Sequence, residues 1–559
     1  MKNTEKVHFL FLLPILVTLI LSCEEVVQEA DLIILNANIW TGNPGQISAQ
    51  SMAIVGDAII AVGTNEEIRK LKGVATEVVD VRGGFITPGF IDAHVHLISG
   101  GNSLLSVDLR DADTPEEFTR RIAGYAQTLG AGTWILEGNW DHTLWGGELP
   151  RKEWIDEHTK KNPVAIFRLD GHMLLANTVA LELAGIDENT LEVDGGEIVR
   201  NDGGFPTGIL KDNAMNLLLD KVPPLTQAQK ENALRAAMKY FLSNGVTSVH
   251  DVDGLRDNLG SYHSADKLQE AQEVTVRIYA AKPLNNWNEL IAIDRKDNKW
   301  LKIGALKGFV DGSLGSHTAA FRKPYTDKSN DKGFFINSRE DLYQWISGAD
   351  KANLHILVHA IGDSAIHSLL NIYERIIREN GHKDRRLRIE HAQHIAPEDI
   401  RRFAELGVIA SMQPYHAIDD GRWAEGLIGP ERIKTTYAFK SLLDANATVV
   451  FGSDWAVAPA VPLQGIYAAV TRRTLDGRNP DGWIPEQKIT VEQALIAYTR
   501  SAAYASFEED IKGTLEPGKL ADFVLLSEDL TKVEVINIQR VKILQTYVGG
   551  KKVFDREAN

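Results

Sequence analysis

The chain has 559 residues, which is too long for one ordinary hydrophobic core and predicts one large domain with smaller attachments, or two domains. Its formal net charge of −16 argues against nucleic acid or an anionic lipid surface as a partner, because both bind basic surfaces. With 16 histidines and one cysteine, nitrogen and oxygen atoms are favoured over thiolates as metal ligands, and no disulfide can form within the chain.

The N-terminus has the anatomy of a signal peptide. An apolar run from Phe9 to Leu21 follows two lysines and is short for a membrane span. Ser22 and Cys23 follow the run, and the segment resembles the lipobox of a bacterial lipoprotein. Leu21, at the second lipobox position, is not the usual small or β-branched residue. We therefore predict a lipoprotein-type signal over residues 1–22 and a tether over 23–30, with a lipid on Cys23 that anchors the protein to a membrane of the bacterial cell envelope, outside the cytoplasm. The alternatives are an ordinary cleaved signal and an uncleaved anchor.

Both ends of the remaining chain read as short strands. Apolar runs broken by glycine and asparagine, such as Leu32–Ala37 near the start and Ala521–Leu526 near the end, are typical of a small β unit. We expect residues 31–85 and 508–559 to form one β-sandwich together.

Residues 86–507 alternate apolar strand-like runs with helical stretches, which predicts β/α units around a parallel sheet and hence an α/β fold. The segment Thr490–Gln493 is a capping box and predicts the start of a helix. Residues from about 104 to 224 depart from this pattern because they are rich in glycine and tryptophan. We expect them to form an insertion.

The first candidate metal ligands lie in Phe90–Leu97, directly after a Pro-Gly turn. Strand alternation places Phe90, Asp92, His94 and His96 on one face and the apolar residues between them on the other. Two imidazoles one strand repeat apart in a buried strand predict a metal site. A histidine pair on a solvent-facing strand is the alternative, so the interpretation depends on finding further ligands.

Polar residues also lie at or near the ends of five later apolar runs. They are Lys307 in Leu306–Ser313, His359 closing Leu354–His359, His391 closing Leu387–His391, Asp454 just after Thr448–Phe451, and His250-Asp251 after Gly245–Val249. Catalytic groups of α/β barrels gather at the C-terminal ends of the strands. Taken singly, each residue has a structural explanation, such as a hydrogen-bonded histidine, a surface lysine or a helix-capping aspartate. Together they predict one site.

These motifs resemble the amidohydrolase superfamily, and within it the amidohydrolase-3 or YtcJ-like branch that includes N-substituted formamide deformylases. The matching motifs are His94-x-His96 after Pro-Gly, Lys307 in Lys-Gly-Phe-Val-Asp-Gly-Ser-Leu-Gly-Ser, His359 in Val-His-Ala-Ile-Gly-Asp, His391 in Ile-Glu-His-Ala-Gln, and Asp454 in Phe-Gly-Ser-Asp-Trp. The resemblance extends from Asp31 nearly to the C-terminus. It implies a (β/α)8 TIM barrel over residues 86–507 with a small β-sandwich built from both chain ends.

The resemblance also implies a centre for one or two divalent metal ions. Its ligands would be His94, His96 and Asp454 on one ion, His359 and His391 on a second, and an N6-carboxylated Lys307 bridging both. A metal-bound hydroxide would attack a polarised carbonyl, and Asp454 would carry the proton to the leaving nitrogen. With one ion, His359 or His391 would help to polarise the carbonyl. Zinc is the expected metal, with manganese, iron or cobalt as alternatives.

Four further residues are predicted to contact the substrate. His172 lies in a segment that resembles a family segment near the substrate, and Trp140 and Asp141 would line an aromatic pocket. His317 stands where many family members have arginine. A substrate group that the arginine would bind is therefore not expected to be bound in the same way here. For each of these residues a purely structural role is the alternative. We also expect His416 near the mouth of the barrel.

The predicted function is hydrolysis of a C–N bond other than a peptide bond, in an amide, N-formyl compound or cyclic amide, a reaction of the EC 3.5 type. Hydrolysis of an ester, lactone or phosphoester at the same site is one alternative, because a hydroxide-bearing metal pair does not select its leaving group. A non-catalytic ligand-binding lipoprotein is another, although the presence of all the implied ligands argues against it. The expected partner is a small-molecule substrate.

Overall fold

The structure, a computed structural model, describes residues 28–253, 260–293 and 297–558. The predicted signal over residues 1–22 and the lipidation site at Cys23 lie outside the described residues. Within the described part of the chain, no helix is both long enough and apolar enough to cross a membrane.

Eight parallel strands form a central barrel and follow one another around it in chain order. They are β1 (Phe90–Val95), β2 (Val246–Asp251), β3 (Arg277–Pro283), β4 (Leu301–Phe309), β5 (His355–Ala360), β6 (Arg388–His391), β7 (Ile409–Met412) and β8 (Val449–Phe451). The first and last strands are joined just past β8, where the Asp454 N–H donates to the His94 carbonyl over 2.8 Å and the His96 N–H donates to the Trp455 carbonyl over 2.6 Å. The predicted (β/α)8 barrel is confirmed.

Helices cover the outside of the barrel and bury its largest apolar core against the strands. Helices in the barrel part of the chain are Leu97–Ser103, Gln227–Ser243, Gly260–Glu270, Trp287–Ala292, Arg339–Lys351, Asp363–Asn380, Ile400–Glu405, Pro414–Asp420, Ala424–Arg432, Phe439–Asp444, Pro462–Thr471, Val491–Ala497 and Arg500–Tyr504. The predicted capping box is confirmed, because the Thr490 hydroxyl accepts from the Gln493 N–H and the Gln493 side chain accepts from the Thr490 N–H.

Strands from both chain ends share one sheet. In spatial order its six strands are Lys551–Asp555, Ile543–Val548, Phe523–Leu526, Phe85–Pro88, Asn38–Trp40 and Ser48–Ala49. A four-stranded sheet lies beside it, in the order Ala58–Gly63, Ser51–Val55, Ala30–Leu35 and Lys72–Asp80. In the chain, a short helix at Asn65–Arg69 connects the two edge strands of this sheet. Ile54 from the second sheet and Phe523 from the first belong to one buried cluster, so the two sheets pack on a common core.

The insertion between β1 and β2 contains a five-stranded sheet of its own. In spatial order its strands are Gly196–Arg200, Pro206–Asp212, Met173–Ala176, Val164–Arg168 and Ile135–Trp140, with helices at Pro115–Ala126, Thr178–Ala184 and Asn216–Leu219. Phe118 and Trp140 are fully buried in one of its cores. The insertion is therefore an additional packed layer, and its polar strand ends lie near the barrel mouth.

The strict alternation predicted for β1 is wrong. Phe90 packs edge-on against Tyr498 of the helical layer, with ring centroids 6.3 Å apart, whereas His94 contacts Lys307 in the barrel interior. The pairing register between β1 and β2 shifts before Asp251, as in a β-bulge, and a bulge re-aims the side chains that follow it. His94 consequently faces inward although Phe90, four residues earlier, does not.

Candidate metal centre

The structure gathers the six predicted ligands at the C-terminal end of the barrel. His94 lies in β1 and His96 just after it, Lys307 lies in β4, His359 in β5, His391 at the end of β6, and Asp454 follows β8. All of them are buried except His96, whose side chain is 27% exposed. The barrel topology thus brings together residues that are hundreds of positions apart in the chain.

His94, His96 and Asp454 form a group whose ligand atoms lie close enough to hold a metal ion. Asp454 Oδ1 is 3.4 Å from His94 Nε2 and 3.2 Å from His96 Nε2. His391 and His416 form a second such group with the same aspartate. His416 lies in the helix Pro414–Asp420 after β7, and the sequence placed it only near the barrel mouth, not among the ligands.

The donor set fits a divalent cation. Asp454 Oδ1 and His416 Nε2 are buried and have no hydrogen-bond partner among the described residues, which is uncommon for buried polar atoms. Burial alone would raise the pKa of the Asp454 carboxyl, but His94, His96 and His391 outweigh it and hold that pKa well below its ordinary value. A carboxylate with an unfilled oxygen among imidazole nitrogens is a donor set that suits zinc and its neighbours.

Glu390 and Arg388 hold His94 in a ligating orientation. The His94 Nδ1–H donates to Glu390 Oε2 over 2.5 Å, which leaves Nε2 as the ring nitrogen turned toward Asp454. Arg388 donates to both Glu390 oxygens over 2.8 and 2.9 Å. Burial, assisted by the charge of Lys307, lowers the pKa of His94 to about 4, so the ring is neutral at pH 7. A carboxylate behind a metal-binding imidazole fixes its tautomer and raises its basicity.

Asp92 and Gly452 keep the ends of β1 and β8 in contact beside this group. The Asp92 carboxylate accepts the Ser453 N–H over 2.8 Å and the Ser453 hydroxyl over 2.5 Å. A Cβ at Gly452 would lie 2.6 Å from the backbone nitrogen of His94, so only glycine fits here without a backbone shift. This close approach places Asp454 next to His94.

Lys307, His359 and His391 lie beside the same centre. Lys307 Nζ is 3.2 Å from His94 Nε2, and burial lowers the pKa of this amine to about 8. The rings of His359 and His391 are 4.5 Å apart. His359 Nε2 lies 3.1 Å from the Gly312 carbonyl, whereas His391 Nδ1 lies 2.9 Å from Gln413 Oε1. The structure therefore brings Lys307, His359 and His391 together beside the centre. The group of His391 and Asp454 that could hold a second ion, however, contains His416 and not His359.

A cavity of about 480 Å³ lies above the centre. His96, Lys307, His359, His391 and Asp454 all contribute to its lining. Part of the wall is apolar, and the residues that form it include Leu219, Leu284, Ile336 and Trp345. Another part is charged and includes Arg168, which pairs with Asp141 over 3.1 Å and with Asp170 over 2.6 Å. A cavity that combines an apolar surface with a few polar groups and a candidate metal centre can hold a small molecule.

Two of the four predicted substrate residues line this cavity and two lie away from it. Asp141 and His172 are part of the lining. Trp140 is fully buried in the insertion, where its indole N–H donates to the Ile166 carbonyl over 2.9 Å. His317 Nε2 instead lies 2.9 Å from the Asp327 carboxylate.

The family model described as the amidohydrolase family matches residues 77–554 of this chain. Protein LONG AFTER FAR-RED 3 of Arabidopsis thaliana is 40% identical, over 94% of this chain and 92% of that protein. The putative amidohydrolase YtcJ of Bacillus subtilis is 30% identical, over 90% of this chain and 95% of that protein. The N-substituted formamide deformylase of Arthrobacter pascens is 28% identical, over 95% of this chain and 99% of that protein.

Among solved structures, an uncharacterized metal-dependent hydrolase from Pyrococcus horikoshii superposes with a TM-score of 0.73 at 28% identity, covering 90% of this chain and 99% of that one. The family model spans the complete barrel and the sandwich strands Phe85–Pro88, Phe523–Leu526 and Ile543–Val548, and the relatives match nearly end to end. This chain therefore belongs to the amidohydrolase family, in its YtcJ-like branch.

Proposed function

We propose that this chain is a metal-dependent hydrolase that cleaves a C–N bond other than a peptide bond, in an amide, N-formyl compound or cyclic amide. The observation that carries the proposal is Asp454 Oδ1, a buried oxygen that lies 3.4 Å from His94 Nε2 and 3.2 Å from His96 Nε2 at the cavity wall and accepts no hydrogen bond from the described residues. Family membership supports hydrolysis, and the name of the formamide deformylase relative favours a C–N bond.

The reaction divides between the bound metal and side chains of this chain. A divalent ion at the centre would supply Lewis acidity and lower the pKa of a water that it binds. Asp454 takes a proton from the attacking water and returns it to the leaving nitrogen, because its carboxylate is ionised and faces the cavity. Glu390 keeps His94 in its ligating orientation throughout. The apolar part of the wall limits the water that reaches the substrate.

We also propose that Lys307 is carboxylated. Its amine would form an N–C bond to carbon dioxide and lose a proton, which gives a carbamate with two oxygens for metal ligation. Full burial and the lowered pKa of this lysine support the proposal, because carbon dioxide reacts with the uncharged amine. Protein incubated with ¹³C-bicarbonate is expected to show a carbamate carbon resonance that Lys307→Ala lacks. A wild-type protein that binds metal fully and shows no such resonance would contradict carboxylation.

The reaction type is tested with a matched amide and ester. N-benzylformamide and benzyl formate share their acyl group and differ in the leaving atom. We expect the amide to be hydrolysed, the rate to fall by at least about a thousandfold on removal of metal with dipicolinate, and zinc to restore it, since several kcal/mol of transition-state stabilisation come from the ion. Turnover of the ester alone would identify an esterase. Binding without turnover of either compound would favour the ligand-binding protein.

Lipid anchoring is a separate proposal and rests on the sequence of the first 30 residues. Wild type and Ser22→Ala, which keeps a small residue before the cysteine, are expected to incorporate labelled palmitate and to sediment with membranes. Cys23→Ser is expected to incorporate no palmitate, because it lacks the thiol that receives the lipid. Labelling of Cys23→Ser at the wild-type level would refute the anchor.

A further inference from the structure

Asp212 is a buried carboxylate, and one of its oxygens accepts no hydrogen bond from the described residues. It ends the strand Pro206–Asp212 of the insertion, lies in the cavity wall and is 6% exposed. The His172 ring donates from Nδ1 to Asp212 Oδ1 over 2.6 Å. Asp212 Oδ2 is buried and accepts no hydrogen bond from any described residue. A buried acceptor without a donor destabilises the folded protein, so a ligand that supplies a donor is a natural explanation for it.

The backbone at Asp212 holds this carboxylate in one place. Its φ of 44° and ψ of −123° are unusual for a residue other than glycine, and such outliers cluster at functional sites. The Asp212 N–H donates to the His172 carbonyl over 3.0 Å, so backbone and side chain both tie the two residues together. The His172 ring in turn lies 5.1 Å, centroid to centroid, from the ring of His359. The pair therefore stands beside the metal centre on a rigid support.

The cavity around Asp212 favours a group that donates hydrogen bonds. Outside the metal centre and its neighbour Asp253, the described residues that line the cavity include one arginine, Arg168. The same part of the lining holds six carboxylates, those of Glu137, Asp141, Asp170, Asp212, Asp419 and Asp420. Arg168 pairs with Asp141 and Asp170, so the charged partner of Asp212 among the described residues is His172 alone, and it contacts only Oδ1. Acceptor oxygens outnumber cations in this part of the described wall, which favours a ligand that donates hydrogen bonds over an anion.

We propose that Asp212, positioned by His172, accepts a hydrogen bond from an amine or amide nitrogen of the substrate. The identity of the cleaved bond rests on the proposed function. Binding of a substrate nitrogen by Asp212 does not depend on it. The hydrocarbon part of the substrate would lie against Leu284, Ile336 and Trp345. Asp212 thereby sets the substrate class, which is a compound with an N–H group joined to an apolar moiety.

The test is calorimetric titration of the purified protein with benzylammonium, the amine that hydrolysis of N-benzylformamide would release. Asp212→Asn keeps the shape of the side chain and removes its charge. Asp202→Asn is the matched control, because Asp202 lies exposed in the turn between two strands of the same insertion. We expect the Kd for benzylammonium to rise at least about tenfold in Asp212→Asn, through loss of a charge-assisted hydrogen bond, and to stay unchanged in Asp202→Asn. Equal binding by wild type and a folded Asp212→Asn would overturn the proposal.

A second measurement needs no variant and covers the case in which Asp212→Asn fails to fold. Wild type is expected to bind benzylammonium at least about tenfold more tightly than benzyl alcohol, which has the same shape and a weaker, uncharged donor. Equal affinity for the two probes would also overturn the proposal. Asp212-dependent binding without turnover of any amide would refute C–N bond hydrolysis and support this inference, whereas amide turnover with an unchanged KM in Asp212→Asn would refute this inference alone.

Discussion

Asp454→Asn is expected to lower kcat/KM for an amide substrate by at least about a thousandfold, because the change removes several kcal/mol of transition-state stabilisation. The asparagine has nearly the same shape but cannot accept the proton of the attacking water, and it is a weaker metal ligand than a carboxylate. It also leaves His94 and His96 without the anionic partner whose Oδ1 lies 3.4 and 3.2 Å from their Nε2 atoms. Bound metal, counted by mass spectrometry, is expected to fall together with activity.

The matched control for this change is Asp444→Asn. Asp444 ends the helix Phe439–Asp444 and its side chain is 59% exposed in an ion pair with Lys440, so the same loss of charge there has no route to the centre. We expect this variant to keep wild-type activity and metal content. An Asp454→Asn protein that retained both would contradict the assignment of Asp454.

Arg388→Met is expected to lower the free energy of unfolding by about 3–5 kcal/mol, the usual result of removing one partner of a buried ion pair. The Arg388 guanidinium is fully buried and donates to both oxygens of Glu390, to His250 Nδ1 over 2.9 Å and to the Ala93 carbonyl over 2.7 Å. Methionine fills a similar volume but leaves the Glu390 carboxylate buried with one cationic neighbour fewer. The midpoint of urea unfolding, followed by circular dichroism, measures the change.

Two further variants separate lost charge pairing from lost packing. Arg378→Met, at an exposed position in the helix Asp363–Asn380, is expected to leave the midpoint unchanged. Arg388→Met combined with Glu390→Gln is expected to recover part of the lost stability, because the carboxylate that lost its partner is then neutral. An unchanged midpoint in Arg388→Met alone would show that the ion pair contributes nothing to folding.

The barrel strands, and the meeting of the six candidate ligands at one end of the barrel, could be predicted from the sequence because each signal is local. His359, His391 and Asp454 each close or follow a short apolar run, and the carboxyl ends of parallel strands meet at one end of a barrel. The spacing of His94 and His96 is likewise visible within one strand. Barrel topology then brings such strand ends together without further information from the sequence.

The groups that support the centre carry no local signal. Glu390 and His94 are 296 positions apart in the chain, and nothing near Glu390 marks it as the partner of that particular histidine. His416 lies in a helix beyond its strand, where strand-end reasoning does not reach. Asp212 becomes informative only when its unpartnered oxygen is seen in the cavity wall.

The insertion shows why composition alone misplaces residues. From the sequence we expect Trp140, in a segment rich in glycine and tryptophan, to line an aromatic pocket. The same tryptophan instead fills the core of a five-stranded sheet. A large apolar ring stabilises a packed core as readily as it lines a pocket, and the sequence around it does not distinguish the two.

The metal content of purified wild type and Lys307→Ala, measured by mass spectrometry after exposure to zinc, tests the central claim most directly. Lys307 Nζ lies 3.2 Å from His94 Nε2, and a carbamate on this lysine would offer two oxygens as metal ligands. We predict about two ions per chain in wild type and one or none in the variant, as expected for a two-metal hydrolase site. Equal counts of about one ion in both proteins would leave a mononuclear centre without the lysine. No metal in wild type would contradict the account of this site as a metal centre.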